Sequence, residues 1–212
     1  MHLKVRPATE SDIPQIYSIF THYVLNTVIT FRTNTPPFSY ISKKFHETQE
    51  RGLPFLVAIE LPGQNDTCHG GNMTGKVCGY TLASPFRGYM LAYAPTVEMS
   101  LFVHPDYHSR GIGSMLLSSL IEALRETQHI SYEVIGDAGS EARVHEQVKV
   151  KNILAIMAVN PEGKNGGEGL RDWYVQRGFI ERGRMNEVGF KHGSIQYIFN
   201  TPYNTRGQPR QT

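Results

Sequence analysis

The chain has 212 residues, enough for one domain with a substantial apolar core. Its 21 lysines and arginines nearly balance its 19 aspartates and glutamates, so the charge indicates neither a nucleic-acid partner nor an anionic membrane surface. The first residues lack the apolar segment of a signal peptide and no later run is long enough to span a membrane, which together predict a cytoplasmic protein.

The N-terminal quarter reads as a strand followed by two helices. A short strand is predicted over 3–6, and the spacing of Thr9 and Asp12 is typical of a capping box at a helix start. Apolar residues then recur at every third or fourth position over 13–24, which predicts a helix with one buried face. A second helix is predicted over 39–51.

Two strands are predicted over 55–61 and 76–83 from their β-branched and aromatic residues. The polar, glycine-rich segment 61–76 between them predicts a long, mobile loop. Cys68 and Cys78 lie at this hairpin, where either a disulfide or two reduced thiols would fit. The lack of a secretory signal favours reduced thiols.

The most informative segment of the chain reads VEMSLFVHPDYHSRGIGS. It joins a predicted strand, 96–103, to an amphipathic helix that begins at Ile112. The first turn of a helix carries unpaired N–H groups and a positive dipole end, which attract an anion. Gly111 and Gly113 let the backbone approach that anion closely, and Arg110 adds a permanent charge. The order of strand, loop and helix therefore predicts a pyrophosphate site.

Two well-known phosphate loops are excluded at this site. The sequence has no Gly-Lys-Ser/Thr run after a four-residue spacer, and Leu116 stands where a dinucleotide fingerprint needs its third glycine. A generic phosphate site, with no preference among nucleotides, remains an alternative.

The second half of the chain alternates strands and a helix after one irregular stretch. Residues 132–151 show no clear period and predict a surface insertion, partly helical or disordered. The elements predicted after it are a buried strand over 153–159, a short helix over 170–177 that Gly178 ends, a strand from Phe179 onward and a strand over 195–199. The whole predicts an α/β fold in one domain, 1–200, with a C-terminal tail, 201–212. Its central mixed sheet has about seven strands and helices on both faces.

The phosphate loop resembles the acetyl-CoA loop of the GNAT acetyltransferases, Gln/Arg-x-x-Gly-x-Gly/Ala after a strand that ends near Val-x-Pro. Val103 and Pro105 match the strand end, and His108 stands where the family has Gln or Arg, so either His108 or Arg110 would make the first phosphate contact. The resemblance implies a GNAT fold over 3–199 and acetyl-CoA as co-substrate. The cofactor-binding residues that it implies are Leu101, Phe102, Val103, His108, Ser109, Arg110, Gly111, Ile112, Gly113, Ser114 and Asn160.

Acetyl transfer to an amine requires a base, a stabilised oxyanion and a proton for the departing thiolate. Glu98 is the only carboxylate in the strand before the loop, so it is the candidate base; the alternative is a strand-end glutamate in contact with water. In GNAT enzymes that strand is bulged and splayed, which by resemblance would free backbone groups over 101–103 for the thioester. Tyr174 resembles the family's tyrosine in an aromatic-Tyr-x-x-x-Gly-Phe segment and is the candidate acid; the alternative is a core aromatic.

Four segments narrow the family to the phosphinothricin acetyltransferase branch, which acetylates the α-amino group of amino acids such as phosphinothricin or methionine sulfoximine. They lie at 21–31, 83–87, 96–98 and 189–193. Such a substrate needs a cation for its carboxylate and apolar walls for its side chain. The candidate cations are Arg87 and Lys191, and the candidate walls are Phe31, Phe86 and Tyr93.

The sequence thus predicts an N-acetyltransferase with a small-molecule amine substrate. Two alternatives remain open: a peptide or protein N-acetyltransferase, which needs an open groove, and a non-catalytic acetyl-CoA sensor. The scattered histidines show no metal-ligand spacing, so no metal is expected. Because relatives of this branch are often dimers, a homodimer is an expectation.

Overall fold

The computed structural model describes residues 2–61, 75–88, 90–137, 140–191 and 194–204, the backbone alone for 186–188, 190 and 194–204. Its elements are β1 (His2–Pro7), α1 (Ile13–Asn26), α2 (Ser39–Glu50), β2 (Phe55–Leu61), β3 (Lys76–Pro85), β4 (Thr96–Val103), α3 (Ile112–Glu126), β5 (Gln128–Ile135), β6 (Ala142–Lys149), β7 (Asn152–Ala158), α4 (Gly169–Val175), β8 (Gly183–Lys191) and β9 (Ser194–Asn204). Cys78 is a buried free thiol, whereas Cys68 and nearly all of the predicted 61–76 loop lie outside the described residues.

Seven strands form one sheet in the order β1-β2-β3-β4-β7-β9-β8. Neighbouring strands are antiparallel except for β4 and β7, which run parallel. Helices α1 and α2 contribute Ile16 and Phe45 to one apolar cluster, and helices α3 and α4 contribute Leu120 and Tyr174 to another. The predicted mixed sheet of about seven strands with helices on both faces is confirmed. Among the described residues, no helix is long and apolar enough to cross a bilayer.

The two parallel strands at the centre of the sheet, β4 and β7, separate halfway along their length. Their ladder runs from Thr96–Asn152 to Met99–Ala155 and stops there. Strand β7 continues to Ala158 along β9, and β4 continues along β3, where it pairs without a register shift. The splay that the resemblance implies is therefore present, although the β3–β4 register shows no bulge. The separation of β4 from β7 opens a cleft in the sheet beside the last residues of β4, near the start of α3.

The N-terminal capping box is present and carries a buried ion pair. Asp12 is fully buried, accepts a hydrogen bond from the Thr9 N–H at 2.8 Å and accepts two more from Arg6 at 2.7 and 2.8 Å. Burial by itself would raise the pKa of Asp12, but the bonds from Arg6 and Thr9 lower it below its usual value. This carboxylate therefore ties the end of β1 to the start of α1.

We expect Asp12→Asn to lower the free energy of unfolding by about 2–3 kcal/mol at pH 7, less than for a wholly buried pair because Arg6 is partly exposed. Since the folded-state pKa of Asp12 is depressed, its stabilisation is full above about pH 4 and is lost as the pH falls through the folded-state pKa. Urea unfolding at several pH values checks this. A difference between the two proteins that persists unchanged down to pH 2 would contradict it.

The prediction of an irregular insertion over 132–151 is wrong. Strands β5 and β6 form an antiparallel hairpin that ends where Ile135 pairs with Ala142. Most side chains of β6 are exposed, so the sequence lacks the alternation that marks a strand with one buried face. His129 fixes the base of the hairpin, since its Nε2 lies 2.7 Å from the carbonyl oxygen of Ala94.

Two boundaries near the C-terminus also differ from the prediction. Phe179 does not begin a strand, because its N–H donates to the carbonyl of Tyr174 and closes α4; strand β8 begins only at Gly183. Strand β9 extends to Asn204 along β7 rather than ending near residue 199. The residues beyond Asn204 are outside the described part of the chain.

Candidate active site

The predicted phosphate loop has the backbone of an anion site. Gly111 precedes α3 with φ of 77°, a left-handed conformation that favours glycine, and no atom lies within 4 Å of a Cβ built there. The first hydrogen bond of the helix runs from Met115 N–H to the Gly111 carbonyl at 3.1 Å. The amides of Gly111, Ile112, Gly113 and Ser114 donate to no acceptor among the described residues. These N–H groups are therefore available to one anion.

Two arginines flank this turn. Arg177, from the segment after α4, donates from Nη2 to the Ser114 hydroxyl at 2.8 Å and stacks on Trp173 at 4.1 Å. The Arg110 guanidinium lies 4.9 Å from the centre of the Tyr107 ring. Sequence reasoning missed Arg177, because only the fold brings it to α3. Both charges add to the positive potential at the start of the helix.

His108 contacts a tyrosine of α1. The Tyr23 hydroxyl lies 2.5 Å from the Val103 carbonyl oxygen and 2.7 Å from His108 Nε2. Because a carbonyl can only accept, Tyr23 donates to Val103 and His108 donates to Tyr23. This chain of bonds fixes the end of β4 against α1. It also occupies the Nε2 donor that the sequence offered for a phosphate.

A cavity of about 550 Å³ lies at the splay between β4 and β7. The predicted residues that line it are Glu98, Tyr174, Leu101, Phe102 and Phe31. Its other lining includes aromatic and aliphatic side chains of both strands and of α1 and α2, together with Thr30, Arg32 and Lys44. The structure thus brings the candidate base and the candidate acid to one largely apolar chamber.

Glu98 lies on the face of β4 that is turned towards α1 and α2. Val97 and Met99 pack with α3, so the alternation of a strand puts Glu98 and Phe102 on the opposite face. The side chain is half-buried and has no hydrogen bond or ion pair with any described residue. Burial raises its pKa, and the charges of Lys44 and Arg87 offset only part of that rise. Glu98 is therefore a carboxylate with greater proton affinity than an ordinary surface glutamate.

Tyr174 is held in α4 by two aromatic neighbours. Its ring meets Trp173 and Phe179 edge to face at centroid distances of 4.9 and 5.0 Å. Burial raises the pKa of Tyr174 well above its usual value, so the phenol stays protonated at neutral pH. Its hydroxyl makes no hydrogen bond with the described residues. A fixed, protonated donor thus lines the same cavity as Glu98.

Two cations of the cavity escaped sequence reasoning. Arg32 lies 4.0 Å from the centre of the Tyr40 ring, and Lys44 reaches the cavity from α2. Either could meet a carboxylate there. The signal for Lys44 was weak, because a lysine on an amphipathic helix ordinarily faces water.

The other predicted substrate residues do not line this cavity. Phe86 and Tyr93 meet edge to face at 5.2 Å in the connection between β3 and β4. Arg87 is exposed on that connection, with φ of 57°, and acts on Glu98 through its charge. Lys191 is buried at the end of β8, where it donates to Thr30.

Asn160 lies just beyond the end of β7, separated from Ala158 by Val159. Its side-chain oxygen accepts a hydrogen bond from the Glu162 N–H at 3.1 Å, which is an ordinary turn contact. The side-chain NH₂ group makes no bond with a described residue and remains available as a donor.

Comparison with known proteins settles the family. The model of the acetyltransferase (GNAT) family matches residues 29–145, more than half of the chain. The chain belongs to the GNAT family. It is thus an acyltransferase, and the splayed sheet and glycine turn described above are this member's version of the family's architecture.

Curated relatives of this GNAT protein are enzymes named for small substrates. A phosphinothricin N-acetyltransferase of Streptomyces coelicolor is 32% identical over 154 residues, which cover 71% of this chain and 83% of the relative. An L-amino acid N-acyltransferase of Escherichia coli, MnaT, is 28% identical over 189 residues, covering 88% of this chain and all of the relative.

A solved structure shares the fold. The phosphinothricin acetyltransferase of Sinorhizobium meliloti, crystallised with acetyl-CoA, superposes with a TM-score of 0.70 at 24% identity. The match covers all of this chain and 95% of the other. At this identity the likeness establishes the GNAT fold alone.

Proposed function

We propose that this GNAT enzyme transfers the acetyl group of acetyl-CoA to the α-amino group of an amino acid or a close analogue. One observation carries the proposal: a half-buried, unpaired carboxylate, Glu98, shares a largely apolar, partly open cavity with the cations Arg32 and Lys44. An α-amino acid brings an ammonium and a carboxylate, which match those two kinds of charge. The relatives named for phosphinothricin and L-amino acids support the same class.

Acetyl-CoA would occupy the cleft that leads to this cavity. The unpaired amides over 111–114 would hold the diphosphate, and Arg110 and Arg177 would neutralise part of its charge. The pantetheine arm would then lie in the splay beside β4, where the backbone over 101–103 could meet the thioester. The Asn160 side-chain NH₂ would donate a hydrogen bond to the arm from the segment that follows β7.

Glu98 would serve as the base. It takes a proton from the substrate ammonium, directly or through a water, and the freed nitrogen lone pair attacks the thioester carbonyl. The C–N bond forms, the C–S bond breaks, and the electron pair of the broken bond leaves on sulfur. A second proton leaves the nitrogen, so an ammonium and a thioester become an amide, a thiol and one released proton.

Tyr174 would stabilise the departing sulfur with a hydrogen bond. Its raised pKa makes it a poor donor of a whole proton to a thiolate whose conjugate acid resembles that of cysteine, near 8.5. A phenol that remains protonated is, however, a steady hydrogen-bond donor to the developing negative charge. The sulfur would then receive its proton from solvent or from the proton that leaves nitrogen.

A panel of acceptors tests the proposal. We expect thiol release from acetyl-CoA to be stimulated at least tenfold by one or more L-amino acids or analogues, such as L-phosphinothricin and L-methionine sulfoximine. The control for each compound is its N-acetylated form, which lacks the attacking amine. Turnover with peptides alone would indicate a peptide N-acetyltransferase. Binding of acetyl-CoA without turnover on any amine would indicate a sensor.

A further inference from the structure

A buried lysine at the edge of the cavity has no anionic partner among the described side chains. Lys191 is only 4% exposed, and its ammonium donates to Thr30, at 3.1 Å to the carbonyl oxygen and 3.0 Å to the hydroxyl oxygen. The two residues are 161 positions apart, and Thr30 itself is 7% exposed and lines the cavity. Burial of a charge without a counter-ion costs free energy, and the hydrogen bonds to Thr30 offset part of that cost.

The direction of these bonds determines where the Thr30 hydroxyl proton points. An ammonium has three donors and no acceptor, so both oxygens of Thr30 accept from Lys191. The hydroxyl proton of Thr30 must then be donated elsewhere, and no described residue accepts it. Because Thr30 lines the cavity, a molecule bound there can supply the missing acceptor. The adjacent positive charge also polarises the O–H bond and strengthens it as a donor.

We propose that Thr30 binds the α-carboxylate of the acceptor and that Lys191 is its positioning residue, holding the hydroxyl as a donor towards the substrate. The inference rests on the proposed function, since it needs an amino acid in the cavity. Lys191 then acts on the substrate through Thr30 and does not contact the substrate itself. An acceptor whose carboxylate is masked as a carboxamide offers this donor a neutral carbonyl oxygen in place of an anion. The weaker hydrogen bond gives selection for the free acid.

Two substitutions at position 30 separate the hydroxyl from the shape of the side chain. Thr30→Val keeps the volume and removes the hydroxyl, whereas Thr30→Ser keeps the hydroxyl. Each variant is assayed with L-methionine sulfoximine, or with the L-amino acid that the panel shows to be acetylated fastest, and with the α-carboxamide of the same compound. Lys191→Met is assayed in parallel, and thermal unfolding checks that each variant folds.

We expect Thr30→Val to raise KM for the free acid about 10- to 100-fold, with a much smaller change in kcat, because a hydrogen bond to a charged group is lost. The rise in KM for the carboxamide should be much smaller. The KM of Thr30→Ser for the free acid should stay within a few-fold of the wild-type value. A folded Lys191→Met should raise KM for the free acid in the same direction. The KM of Lys191→Met for acetyl-CoA should stay at the wild-type value.

Three results would overturn the inference. The first is a Thr30→Val enzyme whose KM for the free acid is within twofold of the wild-type value. The second is an equal rise in KM for the free acid and for the carboxamide, which would indicate that Thr30 has a structural role alone. If Lys191→Met does not fold, the comparison at position 30 decides. After either of these two results at position 30, the proposed function still stands if the wild type acetylates amino acids. A wild type that acetylates none of them overturns the proposed function together with this inference.

Discussion

Glu98→Gln is expected to lower kcat/KM for an amino acid acceptor by about 100- to 10,000-fold at neutral pH. Glutamine has nearly the same shape but cannot take a proton from the substrate ammonium, so the amine must lose its proton to water. Affinity for acetyl-CoA should change little, because the proposed diphosphate site lies at the start of α3, away from Glu98. Steady-state kinetics with varied acceptor at saturating acetyl-CoA and a calorimetric titration with acetyl-CoA measure the two quantities.

The pH profile gives the same prediction a second test. Burial raises the pKa of Glu98, so the wild-type kcat/KM should fall as the pH drops through a value above that of an ordinary glutamate, about 4.3. The glutamine variant should lack this acidic limb, and its rate should rise with pH as the free-amine fraction of the acceptor grows. Glu122→Gln, an exposed change on α3, is the matched control and should behave as wild type. A Glu98→Gln enzyme with the wild-type kcat/KM and pH profile would show that Glu98 is not the base.

Tyr174→Phe should lower kcat about 10- to 100-fold, since the departing thiolate loses its hydrogen-bond donor. The aromatic contacts with Trp173 and Phe179 remain in the variant, so stability should change little. Because burial raises the pKa of Tyr174, the wild-type rate should show no loss on the alkaline side from ionisation of this phenol below pH 10. Rapid-mixing measurement of thiol release isolates the step.

The control for this substitution is Tyr132→Phe on the β5–β6 hairpin, which lies outside the cavity. It should leave kcat unchanged. Equal rates for the wild type and Tyr174→Phe would show that the sulfur leaves without help from α4. A loss confined to KM for acetyl-CoA would mean that the hydroxyl binds the co-substrate without acting on the leaving group.

The glycine turn and the unpaired amides proposed to bind phosphate could be predicted from the sequence because they depend only on neighbouring residues. Strand β4, the glycine turn and helix α3 are consecutive in the chain, and the unpaired amides belong to the same turn that carries Gly111 and Gly113. Glu98 was predictable for a related reason, since a lone carboxylate in an apolar strand must face a cavity or water. Both expectations needed no knowledge of distant parts of the chain.

The contacts that complete the site join distant parts of the chain. Tyr23 meets His108 across 85 positions, Ser114 meets Arg177 across 63, and Thr30 meets Lys191 across 161. No period or motif in one sequence marks such pairs, because each is created by the packing of elements on the sheet. The β5–β6 hairpin was missed for a different reason, since strands exposed to water lack a hydrophobic alternation.

A crystal structure of the protein with coenzyme A and an amino acid tests the central claim most directly. The account predicts diphosphate oxygens within hydrogen-bond distance of the amides over 111–114, the sulfur beside Tyr174, and the amine of the acceptor within one water of Glu98. Coenzyme A bound away from the cleft between β4 and β7, or an acceptor amine remote from Glu98, would contradict it.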